Sequence, residues 1–215
     1  MARTYSAAQI RQAEAPYIAA GVPLMQRAAD GLAAEIGNFH PASVLLLVGA
    51  GNNGADALWA GARLAMRGVD VVIVPTTDHP NREALDAAMN AGAQLRSPDR
   101  VGALFLATDV TVDGILGIGA STSRALRGDA RSVVAAILAA WPGHRHPVVV
   151  AVDIPSGIDP DDGSVPDPTV LPATITVTFG GLKSGLTAQP GASYAGEVRL
   201  IEVGIEDDLA ALPPS

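Results

Sequence analysis

Ser43 to Val48 is an apolar run of strand character, Gly49-Ala50-Gly51-Asn52-Asn53-Gly54 follows it, and Ala55 to Arg67 is patterned as a helix closed by Gly68. A strand that passes through a Gly-rich turn into a helix commits this part of the chain to a βα unit. The free N–H groups at the helix start attract phosphate, and the glycines let the main chain approach it closely. Gly49, Gly51 and Gly54 satisfy the spacing G-x-G-x-x-G. The paired amides Asn52 and Asn53 are not required by a plain dinucleotide fingerprint; their side-chain oxygens can accept from backbone or ligate a hard cation.

The βα alternation continues along the chain. Ser6 to Ala20, with Ser6 as cap and Ile10, Ala13 and Tyr17 at helical spacing, and Pro23 to Ile36 read as two packing helices ahead of the first strand. After it come strand Val69 to Val74, helix Asn81 to Asn90 closed by Gly92, strand Val110 to Val112, helix Asp129 to Ala140, and strands Val148 to Val152, Thr174 to Phe179 and Glu197 to Ile201. Such alternation predicts a three-layer α/β/α Rossmann-like fold with a mainly parallel sheet and two N-terminal helices. At 48% hydrophobic content, 215 residues can bury one substantial core, and no linker-like stretch interrupts them, so residues 1–215 read as a single domain. The tail Leu212-Pro213-Pro214-Ser215 fits a natural terminus or the start of a linker.

Charge and cysteine content narrow the function. A net charge of −8 argues against a nucleic-acid partner or an anionic membrane surface, so an anionic ligand must be held by local groups. The absence of cysteine excludes disulfides, thiolate nucleophiles and sulfur-bound metals. Met1 to Arg11 lacks the apolar segment of a signal peptide and the apolar runs are short for a membrane span, which makes a cytoplasmic location the expectation.

In open parallel sheets the ligand lies beyond the carboxyl ends of the strands. There the sequence places the Gly-Asn-Asn loop, then Asp113-Gly114 with the loop Gly117-Ile118-Gly119-Ala120-Ser121-Thr122-Ser123, then Asp153-Ile154-Pro155-Ser156-Gly157. A strand-end Asp often only caps a turn. Two of them converging with two loops rich in glycine and hydroxyls favour a site, and their oxygens suit a hard monovalent or divalent cation beside a pyrophosphate. His40, His79, His144 and His146 stand near prolines in loop-like contexts and read as solvated. Lys183, in Phe179-Gly180-Gly181-Leu182-Lys183-Ser184-Gly185, fits a phosphate contact or a solvated turn equally. Arg124 and Arg127 carry the same ambiguity, while Asp159-Pro160-Asp161-Asp162-Gly163 lacks EF-hand spacing and reads as an exposed turn.

Taken in order, these residues resemble the NAD(P)H-hydrate epimerase family, the YjeF N-terminal domain, over nearly the whole chain. Leu24-Met25-Gln26-Arg27-Ala28 is similar to its N-terminal helix motif, Gly51-Asn52-Asn53-Gly54-Ala55-Asp56 to its Asn-Asn-Gly-Gly-Asp loop, and Val152-Asp153-Ile154-Pro155-Ser156-Gly157 to its Asp-Ile-Pro-Ser-Gly signature; Thr178-Phe179-Gly180 with Lys183 and Gly185 also matches. The resemblance implies epimerisation at C6 of hydrated NADH or NADPH. It implies a potassium ion held by Asn53, Asp113 and Ser156, and the hydrate contacted by Asn52, Asn53, Gly54, Ala55, Asp56, the loop Gly117 to Ser123, Asp153 and Lys183, with Asp153 in proton transfer. The expected partners are the hydrate, a second copy of the chain and a dehydratase, fused or separate. Ala55 and Ala57 stand where the family commonly has glycine, which would add methyl groups where backbone approaches ligand.

Two rival readings remain at this level. An NAD-dependent dehydrogenase expects a ribose-binding acid at the end of the second strand, but Pro75-Thr76-Thr77 follows Val74 and Asp78 comes only later. A non-catalytic binding module could use the same fold.

Overall fold

The computed structural model describes residues 3–119, 124–143 and 147–213. Two helices, α1 (Ala7–Ala19) and α2 (Leu24–Gly37), precede β1 (Ser43–Val48), α3 (Asn52–Met66), β2 (Asp70–Pro75), α4 (Arg82–Asn90), β3 (Gln94–Leu95), α5 (Val101–Ala107) and β4 (Val110–Gly114). Then follow α6 (Gly128–Ala140), β5 (Val148–Val152), β6 (Ile175–Phe179), α7 (Ala192–Ala195), β7 (Glu197–Ile201) and α8 (Glu206–Ala211). The strands form one parallel sheet in the order β3-β2-β1-β4-β5-β6-β7.

Burial on both faces explains why β1 reads as a continuous apolar run. Its residues alternate between two cores: Val44, Leu46 and Val48 pack with residues of α1, α2, α3 and α4, while Leu45 and Leu47 pack with residues of α5 and α6. This is the expected three-layer arrangement. Chain order reverses at β1, with β2 on one side and β4 on the other, so the topological switch point opens between the carboxyl ends of β1 and β4.

The structure departs from the sequence reading in four places. β3 pairs through only two residues, both exposed, too short to show an alternating pattern. The strand expected over Val110 to Val112 is therefore the fourth, and it runs on through Asp113 to Gly114. Helices α5, α7 and α8 are seven, four and six residues long, below the length at which helical periodicity becomes legible. Finally, α3 starts at Asn52, three residues earlier than its apolar pattern suggests, so both asparagines lie in its first turn.

Candidate active site at the sheet switch point

The two glycine-rich loops touch each other at the switch point. Gly49 N–H donates to the Gly114 carbonyl at 3.0 Å. A Cβ on Gly49 would stand 1.9 Å from the Ile115 carbonyl oxygen, and one on Gly54 would stand 2.1 Å from the Gly49 carbonyl oxygen. These two glycines let main chain pack on main chain. At Gly51, by contrast, nothing lies within 4 Å of the Cβ direction and its dihedrals are ordinary extended ones, leaving the start of α3 open to an incoming group.

Asn53 joins three elements. From the first turn of α3 its amide donates to the Val152 carbonyl at the end of β5 and, at 3.2 Å, to the Leu116 carbonyl after β4. A side chain at Gly117 would collide with its Oδ1 at 2.0 Å. Asp113 is fully buried and accepts from Ser156 N–H at 2.9 Å, from Ser156 Oγ at 2.6 Å and from Ile115 N–H at 3.3 Å. Ser156 Oγ in turn accepts from Leu116 N–H at 2.8 Å. Asn53, Asp113 and Ser156 thus meet around the Leu116 peptide. Burial pushes the Asp113 carboxyl above its ordinary range against the lowering effect of the Ser156 and Ile115 donors. No Lys or Arg pairs with it among the described residues.

Asp153 sits at the neighbouring strand end in a conformation that L-residues avoid. Its φ is +68°, and Ile154 N–H closes back onto the Val152 carbonyl at 2.8 Å, which makes a γ-turn of the strained, positive-φ kind. The same turn recurs one strand over, where Gly181 N–H bonds the Phe179 carbonyl at 2.7 Å around Gly180 with φ +69°. After β6 the chain uses glycine for this turn; after β5 it accepts roughly 1–3 kcal/mol of backbone strain to hold a carboxylate there. Thr178 Oγ1 donates to that carboxylate at 3.2 Å.

Lys183 forms a buried ion pair with Asp153 and also donates to the Phe179 carbonyl at 2.8 Å; its side chain is 1% exposed. The solvated-turn reading of Lys183 is therefore wrong, and its ammonium is committed to Asp153. Asp56, on α3, is buried, and burial first, then the charges of Asp153 and Glu14, push its carboxyl well above the ordinary range. Lys183 acts in the opposite sense.

The expected methyl intrusion at Ala55 and Ala57 does not occur. Both side chains are buried in the core on the α1–α4 side of the sheet, 1% and 0% exposed, and Gly114 makes room for Ala57. Asn52 is exposed at the mouth of the site, as is Gly119, while Gly117 and Ile118 are half-buried. Ala120, Ser121, Thr122 and Ser123 lie outside the described residues, as do His144 and His146. His40 and His79 are exposed. Arg124 holds the loop after β4 in place, bonding Asp159 and the Gly117 carbonyl at 3.3 Å each, and Arg127 is exposed ahead of α6. The 159–163 segment is a turn built on Asp159, whose Oδ1 accepts from Asp161 N–H at 2.9 Å. At the end of β2, Thr76 is buried and donates to the Val48 carbonyl at 3.1 Å, so no acid occupies the ribose position of a dehydrogenase.

The N-terminal helix contributes more than packing. Ile10 and Ala13 of α1 enter the core, Arg11 reaches the Ile118 carbonyl at 2.8 Å, and Glu14 lies within the field of Lys183, Asp153 and Asp56. The segment before α1 is tied to the Lys183 loop through Tyr5 N–H to the Leu182 carbonyl at 2.8 Å and Ser184 N–H to the Tyr5 carbonyl at 3.1 Å. The sequence carried a signal for Glu14: it fills a position on the stripe Ile10, Ala13, Glu14, Tyr17, where an apolar residue would be expected.

Fold and site together define a doubly wound α/β protein with an open helix start at the switch point and a buried carboxylate–lysine pair beside it. A family model described as YjeF-related protein N-terminus matches residues 21–185, and the chain belongs to that family. It is 51% identical to a protein of Clavibacter sepedonicus named NAD(P)H-hydrate epimerase, over 98% of this chain and 93% of that protein. Over 96% of its length it is 42% identical to the bifunctional NAD(P)H-hydrate repair enzyme Nnr of Mycobacterium tuberculosis, of which the match covers 42%. The crystal structure of the yeast protein ynu0, YNL200c, shares the fold with a TM-score of 0.74 at 18% identity, over 92% of this chain and 87% of that one.

Proposed function

We propose that this protein interconverts the R and S epimers of hydrated NADH and NADPH at C6 of the modified ring. The observation that carries the reading is Asp153, held in a strained turn at a strand end, paired with buried Lys183 and adjoining the open start of α3. Relatives named NAD(P)H-hydrate epimerase at about half identity over nearly the full length support it. The dinucleotide's pyrophosphate rests on the first turn of α3 and the loop after β4, which places the altered ring toward Asp153.

Two routes connect the epimers. In one, the C6 hydroxyl accepts a proton and leaves as water while the N1 lone pair closes onto C6; water then adds to the other face and surrenders a proton. In the other, a base removes the hydroxyl proton, the C6–N1 bond breaks to an aldehyde as N1 takes up a proton, and the ring recloses after rotation. Either route needs one acid and one base near C6. Asp153 is the base, and the ammonium of Lys183, ion-paired with it, acts through Asp153 rather than on a phosphate.

Potassium fits the Asn53, Asp113 and Ser156 set, because a fully buried carboxylate that no Lys or Arg among the described residues pairs with sits among amide, hydroxyl and carbonyl oxygens. When bound, the ion would supply positive charge beside the pyrophosphate. The same reading makes the protein cytoplasmic and dimeric, and couples it to a dehydratase, fused or separate; the bifunctional relatives support the last point. No helix among the described residues is long and apolar enough to cross a membrane. The test is chromatography of the two epimers during incubation of one pure epimer with purified protein, without ATP. Equilibration is the expected result, and persistence of the starting epimer with tight binding would instead mark a binding module.

A further inference from the structure

Asp113 and Asp153 stand at the ends of neighbouring strands, yet they use their oxygens differently. Asp113 accepts on both: Oδ1 from Ser156 Oγ at 2.6 Å and Ile115 N–H at 3.3 Å, Oδ2 from Ser156 N–H at 2.9 Å. Asp153 accepts on one. Its Oδ1 takes the Lys183 ammonium, Thr178 Oγ1 at 3.2 Å and Phe179 N–H at 3.4 Å, while no donor reaches Oδ2 among the described residues. Among those residues Thr111 Oγ1 is the side-chain polar atom that is both fully buried and without a hydrogen bond, so the unbonded Oδ2 is open to solvent. The Lys183 side chain is 1% exposed, which leaves Oδ2 as the accessible end of the pair. The three donors come from the end of β6 and the loop after it. Ile175, Val177 and Phe179 of β6 enter the core on the α1–α4 side, and Thr176 and Thr178, both fully buried, face the other way. A buried hydroxyl needs a partner. Thr176 gives its own to the Ala195 carbonyl at 2.6 Å, a use internal to the scaffold, whereas Thr178 gives its own to the carboxylate of the site.

We propose that Thr178 is a positioning residue for the epimerisation: together with Lys183 and the Phe179 N–H it fixes Oδ1 of Asp153, so that the carboxylate presents Oδ2 to C6 of the bound hydrate. The inference rests on the function proposed above. In either route the proton given up by the C6 oxygen, that of the hydroxyl or of the adding water, forms its new bond to Oδ2. The main chain of Asp153 is held by its own N–H to the Val177 carbonyl at 2.7 Å and by the turn through Ile154. A carboxylate anchored only through its main chain still swings about the Cβ–Cγ bond. Once Oδ1 is held as well, the plane of the carboxylate is set, and the place of Oδ2 with it. Proton transfer requires heavy atoms within hydrogen-bond reach, and a misplacement of about 1 Å costs on the order of 10² in rate.

Three substitutions separate the hydroxyl from the methyl group beside it. Thr178→Val keeps the shape and removes the hydroxyl, Thr178→Ser keeps the hydroxyl and removes the methyl, and Thr178→Ala removes both. The expected result is a kcat lowered about tenfold in Thr178→Val and Thr178→Ala with KM within about twofold of the parent, and a kcat restored in Thr178→Ser. Thr176→Val, on the same face of the same strand, should leave kcat unchanged. A serine variant as slow as the alanine variant overturns the proposal by marking a packing role, and hydroxyl-free variants as fast as the parent overturn it outright. The comparison of serine with alanine decides the matter even if valine is not accommodated. Crystal structures of the same proteins provide a readout independent of turnover. The Asp153 carboxylate should keep one orientation in the parent and in Thr178→Ser, and should turn or divide between two orientations in the hydroxyl-free variants; an unmoved carboxylate there refutes the positioning. If the hydroxyl-free variants release the carboxylate but the parent never epimerises the hydrate, the proposed function fails while the hold of Thr178 on Asp153 stands.

Discussion

At the scale of single residues, Asp153 and Lys183 make opposite demands on stability and chemistry. Asn, like Asp, tolerates positive φ, so Asp153→Asn should keep the turn. It should lower the epimerisation rate by about 10² to 10⁴, the usual contribution of a positioned proton-transfer group. It also leaves the Lys183 ammonium buried without its counter-charge, and breaking such a pair costs about 3–5 kcal/mol. Asp153→Asn and Lys183→Met should each lower the melting temperature substantially, and the double variant should lose less than the sum of the two. Calorimetry of the four proteins checks this; strict additivity would mean that the pair contributes no coupling. Asp56 behaves differently. Because its native carboxyl is raised, the folded state holds that proton more tightly than the unfolded chain does, and stability from this group is full below the unfolded value and lost as pH rises through the native one. Asp56→Asn abolishes that loss, so its stability relative to the parent should climb with pH across that window, by about 1.4 kcal/mol per unit of elevation. Urea titrations at several pH values measure the difference, and a relative stability that falls with pH would reverse the assignment.

At the scale of elements, the three glycines of the loop between β1 and α3 divide into two kinds. Gly49 and Gly54 are required by main-chain contacts of 1.9 and 2.1 Å to a would-be Cβ, and backbone cannot step aside as a flexible side chain can. Gly49→Ala and Gly54→Ala should therefore unfold or strongly destabilise the protein. Gly51→Ala meets no protein atom, so its stability should stay within about 1 kcal/mol of the parent's, the scale of a backbone Gly-to-Ala change, while affinity for the dinucleotide falls. Differential scanning fluorimetry with and without ligand separates the two classes. A Gly51→Ala protein that binds as tightly as the parent would show that the ligand does not approach this part of the loop.

At the scale of the whole molecule, Asn53, Asp113 and Ser156 come from α3, β4 and the turn after β5, and only the doubly wound topology makes them neighbours. If they share one cation, it cross-links three elements at the switch point. Replacing potassium by tetramethylammonium should lower both the melting temperature and hydrate binding. Asp113→Asn should abolish the difference between the two salts. Equal melting curves in the two salts for the parent protein would dismiss the cation from this site.

The alternation of apolar runs with helical patterns determined the layered α/β class, and the order of glycines, amides and carboxylates at the strand ends determined where the site would lie. Both are local properties: burial of β1 on both faces leaves a continuous apolar run, and the carboxyl end of a strand is readable from the strand itself. Tertiary structure alone decided what those residues do to one another. Lys183 is thirty residues from Asp153, and whether it meets solvent, phosphate or carboxylate depends on how the loop after β6 folds back over the end of β5. Glu14 is further still in sequence, and only the docking of α1, whose Ile10 and Ala13 enter the core, brings its charge to bear on Asp56 and exposes it to that of Lys183. Strain at Asp153 was equally invisible, because a dihedral angle is imposed by the surrounding contacts and leaves no mark on a residue type that also occupies ordinary turns.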